Sequence, residues 1–203
     1  MGDVETVRDT GQIVEPIQGL SGECDLPGNP EISLMALALA AKAEGMSEIR
    51  RCSRRPEVDA LADALGRLGL AVERGKEGMK VSGREFQAPD GPIDTRRSEM
   101  LFASLAGLLA GAPFRSELVG DPACRVEPVL EALYALDAGI HTPAEGVFPI
   151  KVGGHALKPG QHRIEAPCTE VKCALFLAGL GVEGGVGLLQ ETAGDDDLEV
   201  LFK

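Results

Sequence analysis

Three runs of small apolar residues punctuate the chain: Ile32–Ala43, Met100–Ala110 and Val171–Leu180. Each follows a short strand-like segment and a turn, at Gly22–Leu26, Pro92–Asp94 and His162–Ala166. The runs begin about 70 residues apart, a spacing at which repeated supersecondary units are suspected. After each run the pattern predicts a strand, at Ser47–Arg51, Phe114–Val119 and Val186–Gln190, and then a second helix. Those helices are expected at Glu57–Leu68, at Arg125–Leu136 and from Asp195 onward. The first of them sets Val58, Leu61, Ala62, Leu65 and Leu68 on one stripe, the 3.6-residue period of an amphipathic helix. Gly69 and Gly139 stand just past two helix ends, where glycine favours the left-handed cap before a returning strand. Strand pairs Ala71–Glu73 with Lys80–Ser82, and Ile140–His141 with Phe148–Val152, complete a β-α-β-α-β-β order.

The pattern divides the chain into units of about 12–86, 87–156 and 157–203 within one domain at 12–203. Residues 1–11 are expected to be a flexible N-terminus. The third unit stops inside its second helix, whereas the first has a strand in excess at Gln12–Ile17. The extra strand is expected to fill the third unit's sheet; the rival is an open edge closed by dimerisation.

Composition narrows the core. Of 203 residues, one is Tyr, six are Phe and none is Trp. The interior must therefore be built from Ala, Leu, Val and Ile. Ala36, Ala38, Ala40, Ala41, Ala103, Ala106, Gly107, Ala174, Ala178 and Gly179 are the small positions expected to let helices approach closely.

Charge narrows the partners. The net charge of −12 argues against nucleic acid, whose phosphates need a basic surface. An anionic ligand would need a local cationic pocket. No apolar run reaches the ~18 residues of a membrane span, and the apolar run at Ile32–Ala43 lacks a signal peptide's position and basic flank. The five cysteines (Cys24, Cys52, Cys124, Cys168, Cys173) are odd in number and fit no zinc spacing, which predicts free thiols in a reducing cytoplasm. No cofactor and no metal site is expected, because His141, His155 and His162 do not cluster with other ligands.

Specific strings carry more. Gly19-Leu-Ser-Gly-Glu-Cys-Asp-Leu-Pro-Gly28, Ala36–Ile49, Leu105-Ala-Gly-Leu-Leu-Ala-Gly111, Gly120-Asp121, Glu127-Pro128, Val147-Phe-Pro-Ile150 and Val171–Leu180 resemble, in order and spacing, the enolpyruvyl transferase family, above all its 5-enolpyruvylshikimate-3-phosphate synthase branch. The resemblance runs from about Ile13 to Phe202. It implies an α+β fold, an alpha-beta prism of three βαβαββ units with inward helices, equivalent to one of the family's two domains. It also implies carboxyvinyl transfer from phosphoenolpyruvate to a sugar-like hydroxyl, the chemistry of aromatic amino-acid synthesis.

The strings depart from the family where that chemistry sits. After Pro27-Gly28 the family has a lysine that contacts both ligands and then Ser-x-Ser-x-Arg. Here the lysine position is Pro30, the arginine position is Met35, and Ser33 survives. The family's phosphate-wrapping Gly-Asn-Ser-Gly-Thr turn reads Arg96-Arg97-Ser98-Glu99-Met100. The arginine-rich stretch after Gly120-Asp121 retains Arg125, and the Ser-rich entry to the third inner helix reads Cys168-Thr169-Glu170. At roughly 1.5–3 kcal/mol per charged hydrogen bond, these changes remove most of the affinity for a dianion.

The resemblance therefore implies no catalytic residue in this chain. It leaves Ser33, Arg97, Ser98, Arg125 and Thr169 as substrate-binding candidates. For Ser33 and Ser98 helix capping is the alternative reading; for Arg96-Arg97 and Arg54-Arg55, a solvated surface pair; for Cys168, a small buried thiol. The implied roles are a transferase-family domain that is not catalytic alone, one half of a split enzyme, or a repurposed anion binder using Arg96, Arg97 and Arg125. The partners implied are a phosphorylated small molecule and a second domain-sized chain or a second copy.

Overall fold

The computed structural model describes residues 21–24, 26–83, 85–144, 146–164 and 168–190, with backbone alone at 162–164 and 188–190. Among these the order is α1 (Pro30–Lys42), β1 (Gly45–Arg50), α2 (Pro56–Arg67), β2 (Ala71–Arg74), β3 (Gly78–Gly83), β4 (Ile93–Asp94), α3 (Glu99–Ala110), β5 (Arg115–Val119), α4 (Glu127–Ala135), β6 (Ile150–Gly153), β7 (Gly160–Ile164), α5 (Thr169–Gly179) and β8 (Val186–Gln190). The helices and sheets alternate as expected of an α+β chain.

The sheets repeat one scheme. In the middle stretch β5 runs parallel to β4 and antiparallel to β6. The first stretch reproduces the antiparallel half of that scheme as β1 against β3, with β2 on the far side of β3. The third reproduces the parallel half as β7 against β8. Each sheet thus belongs to one stretch of sequence, and the helices pack between them.

The core is aliphatic. From Met100 to Ala110 every residue of α3 is buried, as befits a helix apolar on all sides. α3 lies along α5 and against α1. Gly107 permits the α3–α5 approach: a Cβ there would stand 2.5 Å from the Ala174 carbonyl oxygen. Phe102, fully buried, meets Phe148 edge to face at 5.7 Å.

Three expectations are corrected. No strand forms at the described residues of Gly22–Leu26, which follow an irregular path. The pair expected of Ile140–His141 shrinks to one bridge, His141 with Lys151. α4 begins at Glu127 rather than Arg125, because Asp121 and Glu99 hold the preceding residues in a turn. The Asp121 side chain accepts from Ala123 N at 2.8 Å, its carbonyl accepts from Cys124 N at 3.0 Å, and Glu99 Oε1 accepts from Arg125 N at 2.8 Å. The strand at Gln12–Ile17, the helix from Asp195 and the N-terminal segment 1–11 lie outside the described residues.

Candidate functional site

The heads of α3 and α5 and the β5–α4 loop border a cleft of about 350 Å³ lined by Arg97, Glu99, Met100, Ala123, Cys124 and Glu170. Each candidate has a definite place around it or away from it. Ser98 caps α3, accepting from Leu101 N at 3.1 Å. Arg97 is exposed and faces Asp121 Oδ2 at 3.6 Å. Arg125 is exposed and Thr169 is the first residue of α5; both are sequence neighbours of lining residues. Ser33 is not part of this cleft. It is buried one turn into α1, where its Oγ donates to the Asn29 carbonyl at 2.7 Å and accepts from Ser53 N at 2.9 Å. Asn29, not Ser33, caps that helix, its side chain accepting from Ile32 N at 3.1 Å.

The backbone of the α3 turn keeps a glycine-like shape without glycine. Arg96 has φ of 56°, held by Asp94 Oδ1, which accepts from Arg96 N at 2.7 Å, and by the Arg96 carbonyl, which accepts from Asp121 N at 2.9 Å. What has changed is charge. Glu99 and Glu170 line the cleft, and Arg97 is the single cation among its lining residues.

The thiols register that field. Burial pushes the Cys124 thiol up first, Glu99 and Asp121 push further, and Arg97 opposes them. Cys168 is exposed, correcting the buried-thiol expectation, yet partial desolvation raises its pKa. It is therefore no activated nucleophile. Cys173, packed beside Ser104 Oγ at 3.5 Å, is pushed up to about 12 by burial. The described residues contain no group of three or more His, Cys, Asp or Glu able to hold a metal ion. No helix among them is long and apolar enough to cross a membrane.

Sequence reasoning missed a second grouping. Arg50, Arg51, Arg54 and Lys76 meet beside Leu26, Pro27 and Gly28 in a cleft of about 470 Å³. The legible signal was two arginine pairs four residues apart; the contribution of the β2–β3 turn was not legible.

Solved structures locate this architecture. The fold matches EPSP synthase from Acinetobacter baumannii with a TM-score of 0.80 at 24% identity, covering 88% of this chain and 42% of that one. It also matches an enolpyruvyl transferase from Streptomyces tendae with a TM-score of 0.57 at 20% identity, covering 80% and 39%. The fold is that of the enolpyruvyl transferases. Residues 14–197 match the model of the EPSP synthase (3-phosphoshikimate 1-carboxyvinyltransferase) family, and the chain belongs to that family. Curated relatives include the 3-phosphoshikimate 1-carboxyvinyltransferases of Dichelobacter nodosus, 33% identical over 175 residues, and of Acidithiobacillus ferrooxidans, 33% identical over 182. Those alignments cover 83% and 86% of this chain but 40% and 42% of the relatives. The chain spans about two-fifths of their length.

Proposed function

We propose that this chain is a cytoplasmic domain of the 3-phosphoshikimate 1-carboxyvinyltransferase type that does not catalyse the reaction alone. One observation carries the reading: at the head of α3, where the family resemblance puts the phosphate turn, the cleft is lined by Glu99 and Glu170 against a single cation already facing Asp121. Two carboxylates in one cleft repel a substrate that carries a phosphate and a carboxylate. The other anchor points support it. Pro30 has no N–H to give at the first position of α1, and Met35 is wholly buried. Arg125 donates its backbone N–H to Glu99, which draws that carboxylate toward the loop rather than away from it.

The shared length of about two-fifths supports a second reading, in which another polypeptide supplies the remaining domain and its basic residues. An anion site built on Arg96, Arg97 and Arg125 is the weakest of the three, because only Arg97 of those side chains lines the cleft, against Glu99 and Glu170.

Calorimetry and a phosphate-release assay on the purified chain test the reading. Titration with shikimate 3-phosphate and phosphoenolpyruvate is expected to give no saturable heat at this cleft and no turnover. Unaided turnover at an ordinary enzymatic rate would overturn it. Turnover that appears only when a second-domain chain is added would establish the split arrangement instead.

A further inference from the structure

The far end of α3 borders another opening, of about 580 Å³, whose walls include Lys42, Glu44, Glu85, Phe86, Ala112 and Pro113. The length of α3, roughly 18 Å at 1.5 Å per residue, separates it from the carboxylate cleft, and the two share no lining residue. Three helix ends meet here. Lys42 is the last residue of α1. Gly111, the C-cap of α3, lines the wall with Ala112. Gly181 follows the C-cap of α5, and a Cβ on it would stand 3.6 Å from Lys42 Nζ. Glu85 and Phe86 come from the segment that leaves β3, and that segment is held at both sides. A Cβ on Gly83 would overlap the Ala43 carbonyl oxygen, so only glycine lets β3 end this close to α1. Beyond Phe86, the Gln87 N–H donates to the Leu68 carbonyl at 2.8 Å.

The charged side chains of this opening are not used up by one another. Lys42 Nζ stands over the Phe86 ring at 5.1 Å from its centroid, a cation–π contact, and Phe86 is packed against the core. Among the described residues no hydrogen bond or ion pair engages the side chain of Lys42, Glu44 or Glu85. Burial nonetheless lowers the pKa of the Lys42 amine, the mark of an ammonium partly stripped of water. One cation and two carboxylates thus line the same opening unpaired, beside helix C-termini whose carbonyls add partial negative charge. A simple carboxylic acid would meet Lys42 and be repelled by both carboxylates. A simple amine would meet the carboxylates and be repelled by Lys42. A molecule that carries both charges suits all three.

We propose that this opening binds an α-amino acid with an apolar side chain, its carboxylate on Lys42, its ammonium on Glu44 and Glu85, and its side chain against Ala112 and Pro113. The volume of about 580 Å³ falls within the ~300–1,000 Å³ of small-molecule clefts. The site lies at the opposite end of α3 from the carboxylate cleft, so it stands whether or not the chain proves inactive in carboxyvinyl transfer.

The test is an NMR titration of the ¹⁵N-labelled chain with leucine and three analogues. Glycine lacks the apolar side chain, 4-methylpentanoate lacks the amino group, and 3-methylbutylamine lacks the carboxylate. Leucine is expected to give saturable shifts at the amides of residues 42–44, 85–87 and 111–112. Each analogue should bind about tenfold more weakly or not at all, because each forfeits one of the three contacts. Lys42→Met keeps the unbranched stem and removes the charge; it should weaken leucine binding about tenfold or more. The Glu44→Gln, Glu85→Gln double variant should do the same, while Glu73→Gln, on β2, leaves binding unchanged. All four positions are exposed, and dispersed spectra verify folding. Shifts that rise linearly without saturation would overturn the proposal. So would 3-methylbutylamine or 4-methylpentanoate binding as tightly as leucine, which would reduce the site to a single charge contact. Equal affinity for glycine, shifts confined to residues 96–101, or native affinity in the Lys42→Met and double variants would overturn it as well.

Discussion

Arg96 shows how a residue can change while its backbone does not. A non-glycine side chain at φ of 56° costs on the order of 1 kcal/mol. The bonds from Asp94 and Asp121 over-determine that conformation. Arg96→Gly should therefore raise stability by about 0.5–1 kcal/mol, read as a higher urea midpoint with an unchanged slope. A lower midpoint would mean that the guanidinium makes a contact worth more than the strain. The substitution is legible in the sequence, but what holds the backbone in place of glycine is not. The turn persists without glycine because the Asp94 side chain and a backbone bond between Arg96 and Asp121, 25 residues apart, hold it. Pro30 carries the same lesson in reverse: a residue read as a lost ligand contact is also a good first residue for α1, because that N–H has no helical partner anyway.

At the scale of elements, the tightest constraint is the crossing of α3 and α5. Gly107 faces Ala174 so closely that an added methyl group would meet its carbonyl oxygen at 2.5 Å and its Cα at 2.8 Å. Backbone cannot swing aside as a side chain can, so Gly107→Ala should cost about 2 kcal/mol despite alanine's better helix propensity. Thermal unfolding would show it, and a neutral or stabilising result would mean the helices can slide apart freely. The small-residue runs made these helices legible, because their composition and their burial have one cause. Helix starts shifted by one to two residues where Pro30, Pro56 and Pro128 fix the first turn. The strand expected over Gly22–Leu26 was not legible as irregular chain, since alternation in five residues cannot reveal that Gly28 must squeeze past Arg51. Nor could any local pattern bring Lys76 to Arg54, since the bond that joins them spans 22 residues.

Across the whole molecule the decisive quantity is where the charges sit. The net −12 is not spread evenly: the head of α3 is lined with carboxylates, whereas Arg50, Arg51, Arg54 and Lys76 gather beside Pro27 and Gly28. The head of α3 is a helix N-terminus whose dipole favours an anion, so the surrounding side chains decide whether it accepts one. If Glu99 and Glu170 are what closes the α3–α5 cleft to phosphate, then neutralising them should open it. The Glu99→Gln, Glu170→Gln double variant keeps the carbonyl oxygen that can accept from Arg125 N, so the loop before α4 should hold its shape. Titrated with inorganic phosphate, it should show new saturable shifts at the amides of residues 98–101, absent from the unsubstituted chain. Each repulsion of about 1 kcal/mol removed should strengthen binding roughly fivefold, less as salt rises. Silence at 98–101 in the double variant would place the obstacle in the lost glycines rather than in charge, since Arg97 and the capped first turn of α3 would then have failed to hold phosphate even with the repulsion gone.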